Sequence, residues 1–148
     1  MIKSLNPNFR ERIQAHIQKQ HFLEYVGFKI TSIEEGCIEG FLVVKQFHKQ
    51  QRDFIHGGLI ATLADVVAGF AAYTLVPEDH HVVTAELKVS YLNPGLGNKL
   101  EAKGWVLKQG KKMNFCESEV WSLNGDQRTL IAKATTTMAT VFPGEFQS

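Results

Sequence analysis

The sequence predicts an α+β fold in which one long helix packs against an antiparallel sheet. Residues 57–75 form a nearly uninterrupted apolar run that starts after His56 and stops before Pro77, as a buried helix would. Four strand-like segments follow it, at residues 82–92, 100–108, 113–123 and 129–141. Glycine-containing turns at residues 110–112 and 124–126 join the last three as hairpins. These three observations favour a helix embedded in a sheet.

The residues before the long helix predict a first helix and two further strands. Asn6 reads as a helix N-cap with Pro7 in the first turn, and the apolar spacing that follows predicts an amphipathic helix ending near Gly27. Residues 28–33 and 37–47 read as two strands joined by a turn at Gly36, and residues 48–55 as a polar loop.

The strand at residues 82–92 alternates strictly. Its period predicts that Val83 and Leu87 lie on one face, while Thr84, Glu86 and Lys88 lie on the other, polar face.

Length and composition predict one domain with no attached cofactor chemistry. The 148 residues suit a single unit, with an N-terminal helix at 1–26, a core at 27–141 and a tail at 142–148. A formal net charge of +1 argues against broad attraction to nucleic acid or membranes. Cys37 and Cys116 lack metal-ligand spacing, so free thiols in a reducing cytoplasm are expected, without a metal site.

The start of the long helix carries the strongest functional signal. His56-Gly57-Gly58 precedes an apolar run whose one charged residue is Asp65. The first backbone N–H groups of a helix have no partner within it and form a natural site for an anion or oxyanion. A buried aspartate in an apolar helix is rare unless it is hydrogen-bonded or ion-paired, or has a functional role. Together these residues suggest an oxyanion hole and a poised carboxylate.

Helix geometry places His56 and Asp65 on opposite sides of the predicted helix. Asp65 follows His56 by nine residues, which places it roughly 180° around the helix and about 13 Å along it. A single chain therefore cannot bring both to one substrate, and a second copy is required if both act together. The helix also has a face of large side chains, expected to pack on the sheet, and a face of small ones, expected to stay open around Asp65. The large face is Leu59, Ile60, Leu63, Val67 and Phe70; the small face is Ala61, Asp65, Ala68 and Ala72.

These motifs resemble those of hotdog-fold acyl-CoA thioesterases of the phenylacetate-degradation (PaaI-like) type. The resemblance runs from Gly27 to Val141 and depends on His-Gly-Gly followed at the ninth position after the histidine by Asp65. It is supported by Leu92-Asn93-Pro94-Gly95 after one strand and by residues 106–111 before a hairpin. The resemblance implies a hotdog fold, in which the antiparallel sheet wraps the long helix.

The resemblance also implies roles for individual residues. The Gly57 N–H would hold the thioester oxygen, His56 would position or polarise the substrate near that oxygen, and Gly58 would lie against the substrate. Asp65 of a neighbouring subunit would be general base or nucleophile, supported by Thr84. The family often has an asparagine six residues before the histidine. Here Gln50 stands there, followed by Gln51, and either amide could orient water. Lys108 and Lys111 would meet the phosphates of CoA, although a solvated hairpin tip is an equally good interpretation.

The function implied is hydrolysis of an acyl-CoA to a carboxylic acid and free CoA, by a homodimer or a dimer-of-dimers homotetramer without a cofactor. One alternative is a hotdog protein that binds acyl thioesters without turnover, as a sensor or carrier. A hydratase on the same fold is the second alternative, and the His-Gly-Gly-to-Asp pattern argues against it.

Overall fold

The computed structural model describes residues 1–145, in which one antiparallel sheet wraps around a long helix. The six strands run in the order β1-β2-β4-β5-β6-β3, so β1 and β3 form the two edges. This is the predicted α+β arrangement. The elements are α1 (Phe9–Ile17), α2 (His21–Val26), β1 (Phe28–Glu34), β2 (Cys37–Val43), α3 (Gly57–Tyr73), β3 (His81–Tyr91), β4 (Lys99–Lys108), β5 (Met113–Asn124) and β6 (Gln127–Val141).

The N-terminal segment differs from the single helix that was expected. Asn8, rather than Asn6, is the N-cap of α1, and the Asn6 Oδ1 instead accepts the Asn8 N–H at 2.9 Å in a turn before the helix. Residues 18–20 then interrupt the helix, and α2 ends as predicted at Gly27, which adopts the left-handed conformation with φ 84°. The N-terminal helix is therefore two short helices with a break between them.

Strand β2 ends earlier than its sequence suggests. The predicted strand reached Phe47, but β2 stops at Val43 and a 3₁₀ turn occupies Gln46–His48. The buried His48 ring explains the change, because its Nδ1 accepts the Lys45 N–H at 2.8 Å and its Nε2 bonds the Val26 carbonyl at 2.7 Å. This ring ties the segment to the end of α2, which draws the chain away from the sheet.

Helix α3 packs on the sheet more closely than its large side chains alone would allow. Ile60, Leu63 and Val67 are buried as expected. However, Ala68 and Ala72 are also fully buried, so the expected open face of small residues is only half correct. A glycine of β4 explains the burial of Ala68: a Cβ at Gly104 would lie 2.5 Å from the Val67 carbonyl carbon and 2.6 Å from the Ala68 nitrogen. The open face consists of Gly58, Ala61, Thr62, Asp65, Val66 and Gly69.

Strand β3 contains a bulge that changes which side chains face α3. Its pairing with β6 runs Thr84 to Met138 and then Glu86 to Thr137, so Ala85 is an extra residue. Directly paired residues share a face of a sheet. Thr84 therefore lies on the helix side with Leu87, whereas Val83 lies on the other side with Glu86 and Lys88. The predictions that Thr84 shares a face with Glu86 and Lys88, and Val83 with Leu87, are both wrong, because the bulge shifts the alternation by one residue.

The N-terminal helices are anchored to the far end of α3. The Arg12 guanidinium donates to the carbonyl oxygens of Tyr73 at 2.6 Å, Val76 at 2.9 Å and Pro77 at 2.6 Å. The bond to Tyr73 satisfies one of the carbonyls that the C-terminus of α3 leaves without partners, and the other two hold the segment that follows the helix. Of the predicted tail at residues 142–148, the last three lie outside the described residues. Within residues 1–145, no helix is long and apolar enough to cross a membrane.

Candidate active site

The first turn of α3 leaves one backbone amide available for a ligand. His56 is the N-cap, in extended conformation, and its Nδ1 accepts the Gly58 N–H at 3.0 Å. Because Nδ1 acts as an acceptor, the proton of the neutral ring lies on Nε2. Nowhere in residues 1–145 does the Gly57 N–H find an acceptor. Of the two glycine amides, Gly57 is therefore the one free to bind an oxygen at the positive end of the helix.

A cleft of about 370 Å³ lies beside Gly57. Gly57, Gln50 and Tyr91 all line it. The Tyr91 hydroxyl donates to the Gly57 carbonyl at 2.7 Å, which fixes the first turn of α3 to the end of β3. Gln50 lines this cleft, whereas the neighbouring Gln51 side chain is exposed. The Gln50 Oε1 is already engaged, since it accepts the Arg52 N–H at 2.7 Å.

The Asn93-Pro94-Gly95 turn supports the segment leading into the helix. The Ile55 N–H donates to the Gly95 carbonyl at 2.9 Å. Gly95 is buried, and a Cβ there would lie 2.8 Å from the Ile55 Cβ. The turn thus requires glycine at this position because the two backbones approach closely.

A second groove, of about 350 Å³, contains the carboxylate. Asp65 is half-buried at its wall, and the Thr84 hydroxyl donates to Asp65 Oδ1 at 2.6 Å. The bulge at Ala85 makes this bond possible by turning Thr84 toward α3. The other Asp65 oxygen receives no bond from any side chain of the described residues. The carboxylate is therefore held in one orientation with one oxygen available for chemistry.

The two clefts are separate within one chain. No residue lines both the Gly57 cleft and the Asp65 groove. This separation agrees with the helix geometry, which places His56 and Asp65 about 13 Å apart along α3. The lysines are more distant: Lys108 ends β4, and Lys111 lies beside Leu75 and Val76 just beyond the C-terminal end of α3. One chain does not bring Lys108 or Lys111 near Gly57 or Gly58.

The histidines and cysteines of residues 1–145 do not form a metal site. His80 Nδ1 bonds Asp79 Oδ1 at 2.7 Å, and across residues 1–145 no group of three His, Cys, Asp or Glu residues could hold a metal ion. Cys37 and Cys116 are free thiols, as expected, although Cys37 is only partly buried. Burial raises the pKa of the Cys116 thiol to about 11, so this group stays protonated at neutral pH.

Several residues at these clefts had no signal in the sequence. Tyr91 belongs to no motif of the sequence, yet its hydroxyl contacts Gly57 from 34 residues away. His16, Gln20, Tyr73 and His81 line the Asp65 groove together. Only the packing of α1 against α3 brings His16 to Tyr73, and a local pattern cannot report such a contact.

Comparison with known proteins identifies relatives of the chain. Residues 53–129, which include α3 through β5, match the thioesterase superfamily. Human acyl-coenzyme A thioesterase 13 is 30% identical over 115 residues, covering 76% of this chain and 81% of that protein. A Caenorhabditis elegans protein named as a candidate esterase is 39% identical over 79 residues, or 53% of this chain. The chain spans only 46% of the length of that relative.

Solved structures show the same architecture. A thioesterase family protein of Silicibacter pomeroyi superposes with a TM-score of 0.89 at 25% identity, covering 90% of this chain and 98% of that one. The Escherichia coli PaaI protein of the phenylacetic acid degradation operon superposes with a TM-score of 0.82 at 21% identity, covering 95% and 98%. The predicted hotdog fold is therefore confirmed.

Proposed function

Because the chain belongs to the thioesterase superfamily, we propose that it hydrolyses acyl-CoA thioesters to a carboxylic acid and free CoA. The observation that carries the proposal is the Asp65 carboxylate, held at 2.6 Å by Thr84 with one oxygen free in an open groove. The free Gly57 N–H supplies the second element that thioester hydrolysis needs. The proposed catalytic unit is the domain at residues 27–141.

The Gly57 amide would stabilise the oxyanion. Attack on a thioester carbonyl moves negative charge onto its oxygen, and a fixed N–H at a helix N-terminus stabilises that charge as it develops. His56 contributes by binding the Gly58 N–H, which orients the turn and leaves the Gly57 N–H free. Tyr91 holds the Gly57 carbonyl and so fixes the peptide plane between Gly57 and Gly58. The peptide plane that carries the Gly57 N–H is held through the His56 carbonyl, which accepts the Ile60 N–H at 3.2 Å. Gln50, at the same cleft, is the better placed of the two glutamines to contact water or substrate.

Asp65 would supply either the base or the nucleophile. As a base, it takes a proton from water while the water oxygen bonds to the carbonyl carbon; the C–S bond then breaks and the thiolate leaves. As a nucleophile, its free oxygen bonds to the carbonyl carbon and expels the thiolate, and water then hydrolyses the mixed anhydride. In both routes Thr84 orients the carboxylate and the departing thiolate takes up a proton.

The site would be shared between two copies of the chain. Gly57 and Asp65 lie in separate clefts of one chain, so a complete site needs Gly57 from one subunit and Asp65 from another. Strand β3 offers the contact: it is a sheet edge of 11 residues. Its apolar side chains Val83, Leu87 and Tyr91 are 44%, 36% and 53% exposed. A long apolar edge strand pairs readily with another chain, and pairing β3 with a second β3 would bring the open face of α3 onto its partner.

A larger assembly would explain the remaining predicted substrate contacts. Lys108 and Lys111 are too far from Gly57 in one chain, but in a dimer of dimers another subunit's hairpin could present them to the CoA phosphates. A dimer suffices for the chemistry, and a tetramer is needed only for these contacts. The free thiols fit a reducing compartment such as the cytoplasm.

Release of free thiol from a panel of acyl-CoAs tests the proposal. We expect steady thiol release that depends on enzyme concentration, with no hydrated acyl-CoA formed when enoyl-CoAs are offered. Binding of the same compounds without thiol release would contradict the hydrolase and support a carrier or sensor. Addition of a chelator should leave the rate unchanged, since no metal enters either route.

A further inference from the structure

A short hairpin delivers His56 to the first turn of α3. Its second arm is held by the Ile55 N–H, which donates to the Gly95 carbonyl at 2.9 Å. Its first arm begins at His48, whose carbonyl accepts the His56 N–H at 2.9 Å. The N-cap that precedes the free Gly57 amide is therefore held from one side by the backbone of His48.

The His48 side chain attaches this first arm to the N-terminal helices. The residue is 4% exposed; its Nδ1 accepts the Lys45 N–H at 2.8 Å, and its Nε2 donates to the Val26 carbonyl at 2.7 Å. A carbonyl oxygen can only accept, so Nε2 carries the ring proton, and both nitrogens of the neutral ring are occupied. Val26 is the last residue of α2, where a helix leaves its carbonyls without partners. One side chain thus joins α2 to the hairpin.

The two bonds of the ring differ in what they connect. Lys45 lies only three residues from His48, at the start of the same 3₁₀ turn, and is an exposed residue to which water has access. Val26 lies 22 residues away in another helix and is 7% exposed, so its carbonyl has no such alternative. The bond to Val26 is therefore the one that fixes the hairpin relative to the rest of the fold, and its loss would leave a buried acceptor unpaired.

From these contacts we propose that His48 is a positioning residue for the oxyanion site, which acts through its bond to Val26 by fixing the His56 N-cap and hence the Gly57 amide. The proposal rests on the thioesterase function proposed above for the role of that amide. His48 does not touch the substrate, because its ring is buried and both nitrogens are occupied. A fixed donor stabilises an oxyanion only within hydrogen-bond reach, and a displacement of about 1 Å can cost about 100-fold in rate. The effect should therefore fall on kcat rather than on KM.

Two substitutions separate the two bonds of the ring. The asparagine side-chain oxygen lies the same number of bonds from Cβ as Nδ1, and the glutamine amide nitrogen the same number as Nε2. His48→Asn therefore keeps an acceptor for the Lys45 N–H and loses the bond to Val26, whereas His48→Gln keeps a donor for Val26. We expect His48→Asn to lower kcat for thiol release at least about tenfold with KM within about twofold, and His48→Gln to retain at least about half of the wild-type kcat.

Thr74→Val is the matched control for a loss of stability. The Thr74 hydroxyl is fully buried and accepts the Gly36 N–H at 2.8 Å, so valine also leaves one buried group unpaired, but at the C-terminal end of α3. The melting temperatures of Thr74→Val and His48→Asn should fall by similar amounts. The kcat of Thr74→Val, measured below its melting transition, should stay within about twofold of wild type. A purely structural role of His48 predicts that His48→Asn keeps its kcat in the same way.

Amide hydrogen exchange, resolved by NMR, tests the positioning without relying on catalysis. The His56 and Gly58 N–H groups are both bonded at the N-cap, to the His48 carbonyl and to the His56 Nδ1. Amides at the end of a helix exchange through local opening rather than global unfolding. Exchange of both should be at least about tenfold faster in His48→Asn and within about twofold of wild type in His48→Gln and Thr74→Val.

The outcomes separate this inference from the proposed hydrolysis. Faster exchange and lower kcat in His48→Asn, with wild-type behaviour in His48→Gln, support the positioning role. Wild-type kcat or wild-type exchange in folded His48→Asn overturns it, and so does an equal loss in the glutamine variant. If His48→Asn does not fold, His48→Gln decides alone: a tenfold loss of kcat overturns the proposal, and retained kcat and exchange support it. A wild-type protein that releases no thiol counts against the hydrolase, and the exchange comparison then still decides whether His48 holds the N-cap.

Discussion

The Thr84 hydroxyl reaches the Asp65 carboxylate because β3 contains a bulge with one extra residue. The hydroxyl-to-carboxylate distance is 2.6 Å, and the extra residue is Ala85, which the pairing of β3 with β6 skips. Without the bulge, Thr84 would face away from α3 like Glu86. A local irregularity in the sheet thus orients the one carboxylate of the apolar helix, as bulges next to active sites commonly do.

Replacing the carboxylate should abolish turnover without unfolding the protein. We expect Asp65→Asn to lower kcat at least about 100-fold with little change in KM, since the amide can neither accept the proton nor attack. The amide occupies the same space and can still accept the Thr84 bond, so the melting temperature should stay close to that of wild type. Thiol-release kinetics and thermal denaturation measure the two effects, and near-normal kcat would remove Asp65 from the mechanism.

The Thr84 hydroxyl should act on kcat through the carboxylate. Thr84→Val keeps the shape but removes the donor, and we expect kcat to fall about tenfold with KM unchanged, in the range of a lost charge-assisted hydrogen bond. Thr84→Ser keeps the donor and should restore most of the activity. If the serine variant, which keeps the hydroxyl, loses as much activity as the valine variant, the hydroxyl alone does not account for the role of Thr84, and the proposed effect of its bond to Asp65 is contradicted.

The close contact between β4 and α3 predicts a strong effect of one added methyl group. Gly104→Ala would place its Cβ 2.5 Å from backbone atoms of Val67, so unfolding free energy should fall by about 1–3 kcal/mol or more. Gly69→Ala is the matched control. Its nearest neighbour is 3.9 Å away, and alanine in a helix is up to about 1 kcal/mol better than glycine. Urea denaturation of both variants measures their free energies of unfolding. Equal values would mean that the sheet can shift away from α3 without loss of stability.

Subunit mixing tests whether the site is shared. His56→Ala and Asp65→Asn should each be inactive alone, but a mixed dimer would have one site with both defects and one with neither. Random exchange of equal amounts makes about half of the dimers mixed, so activity should recover toward about one quarter of wild type. Native mass spectrometry establishes that exchange has occurred. Exchange without recovery would contradict a shared site.

The buried Cys116 predicts a loss of stability in alkali. Burial raises its pKa from 9.0 to about 11, so between these values the unfolded thiol ionises while the folded thiol does not. In this window the folded state keeps the thiol proton that the unfolded state loses. The free energy of unfolding should therefore fall as pH rises from 9 to 11, by up to about 2–3 kcal/mol from this group. Denaturation of wild type and Cys116→Ala from pH 8 to 11 isolates the effect as a difference in slope. Parallel slopes would show that the thiol ionises equally in both states.

The sequence alone was sufficient for the features that depend on local spacing. Helix α3 begins at Gly57 and ends before Pro77 as predicted, because glycines after a cap and a later proline delimit a helix whatever surrounds it. The opposite placement of His56 and Asp65 on that helix follows from its period alone. The same reasoning predicted that one chain cannot bring His56 and Asp65 to one substrate, and the structure places Gly57 and Asp65 in separate clefts.

Tertiary structure decided the features that depend on how elements meet. The side of the sheet on which Thr84 lies was predicted wrongly, because the bulge at Ala85 arises from pairing with β6 and leaves no trace in the alternation of β3 itself. The burial of Ala68 depends on Gly104 in another strand. The contact of His16 with Tyr73 joins residues 57 positions apart. The spacing of apolar residues predicts which face of its own helix or strand a side chain occupies. Only the packing of the helices and strands against one another determines which residues that face contacts.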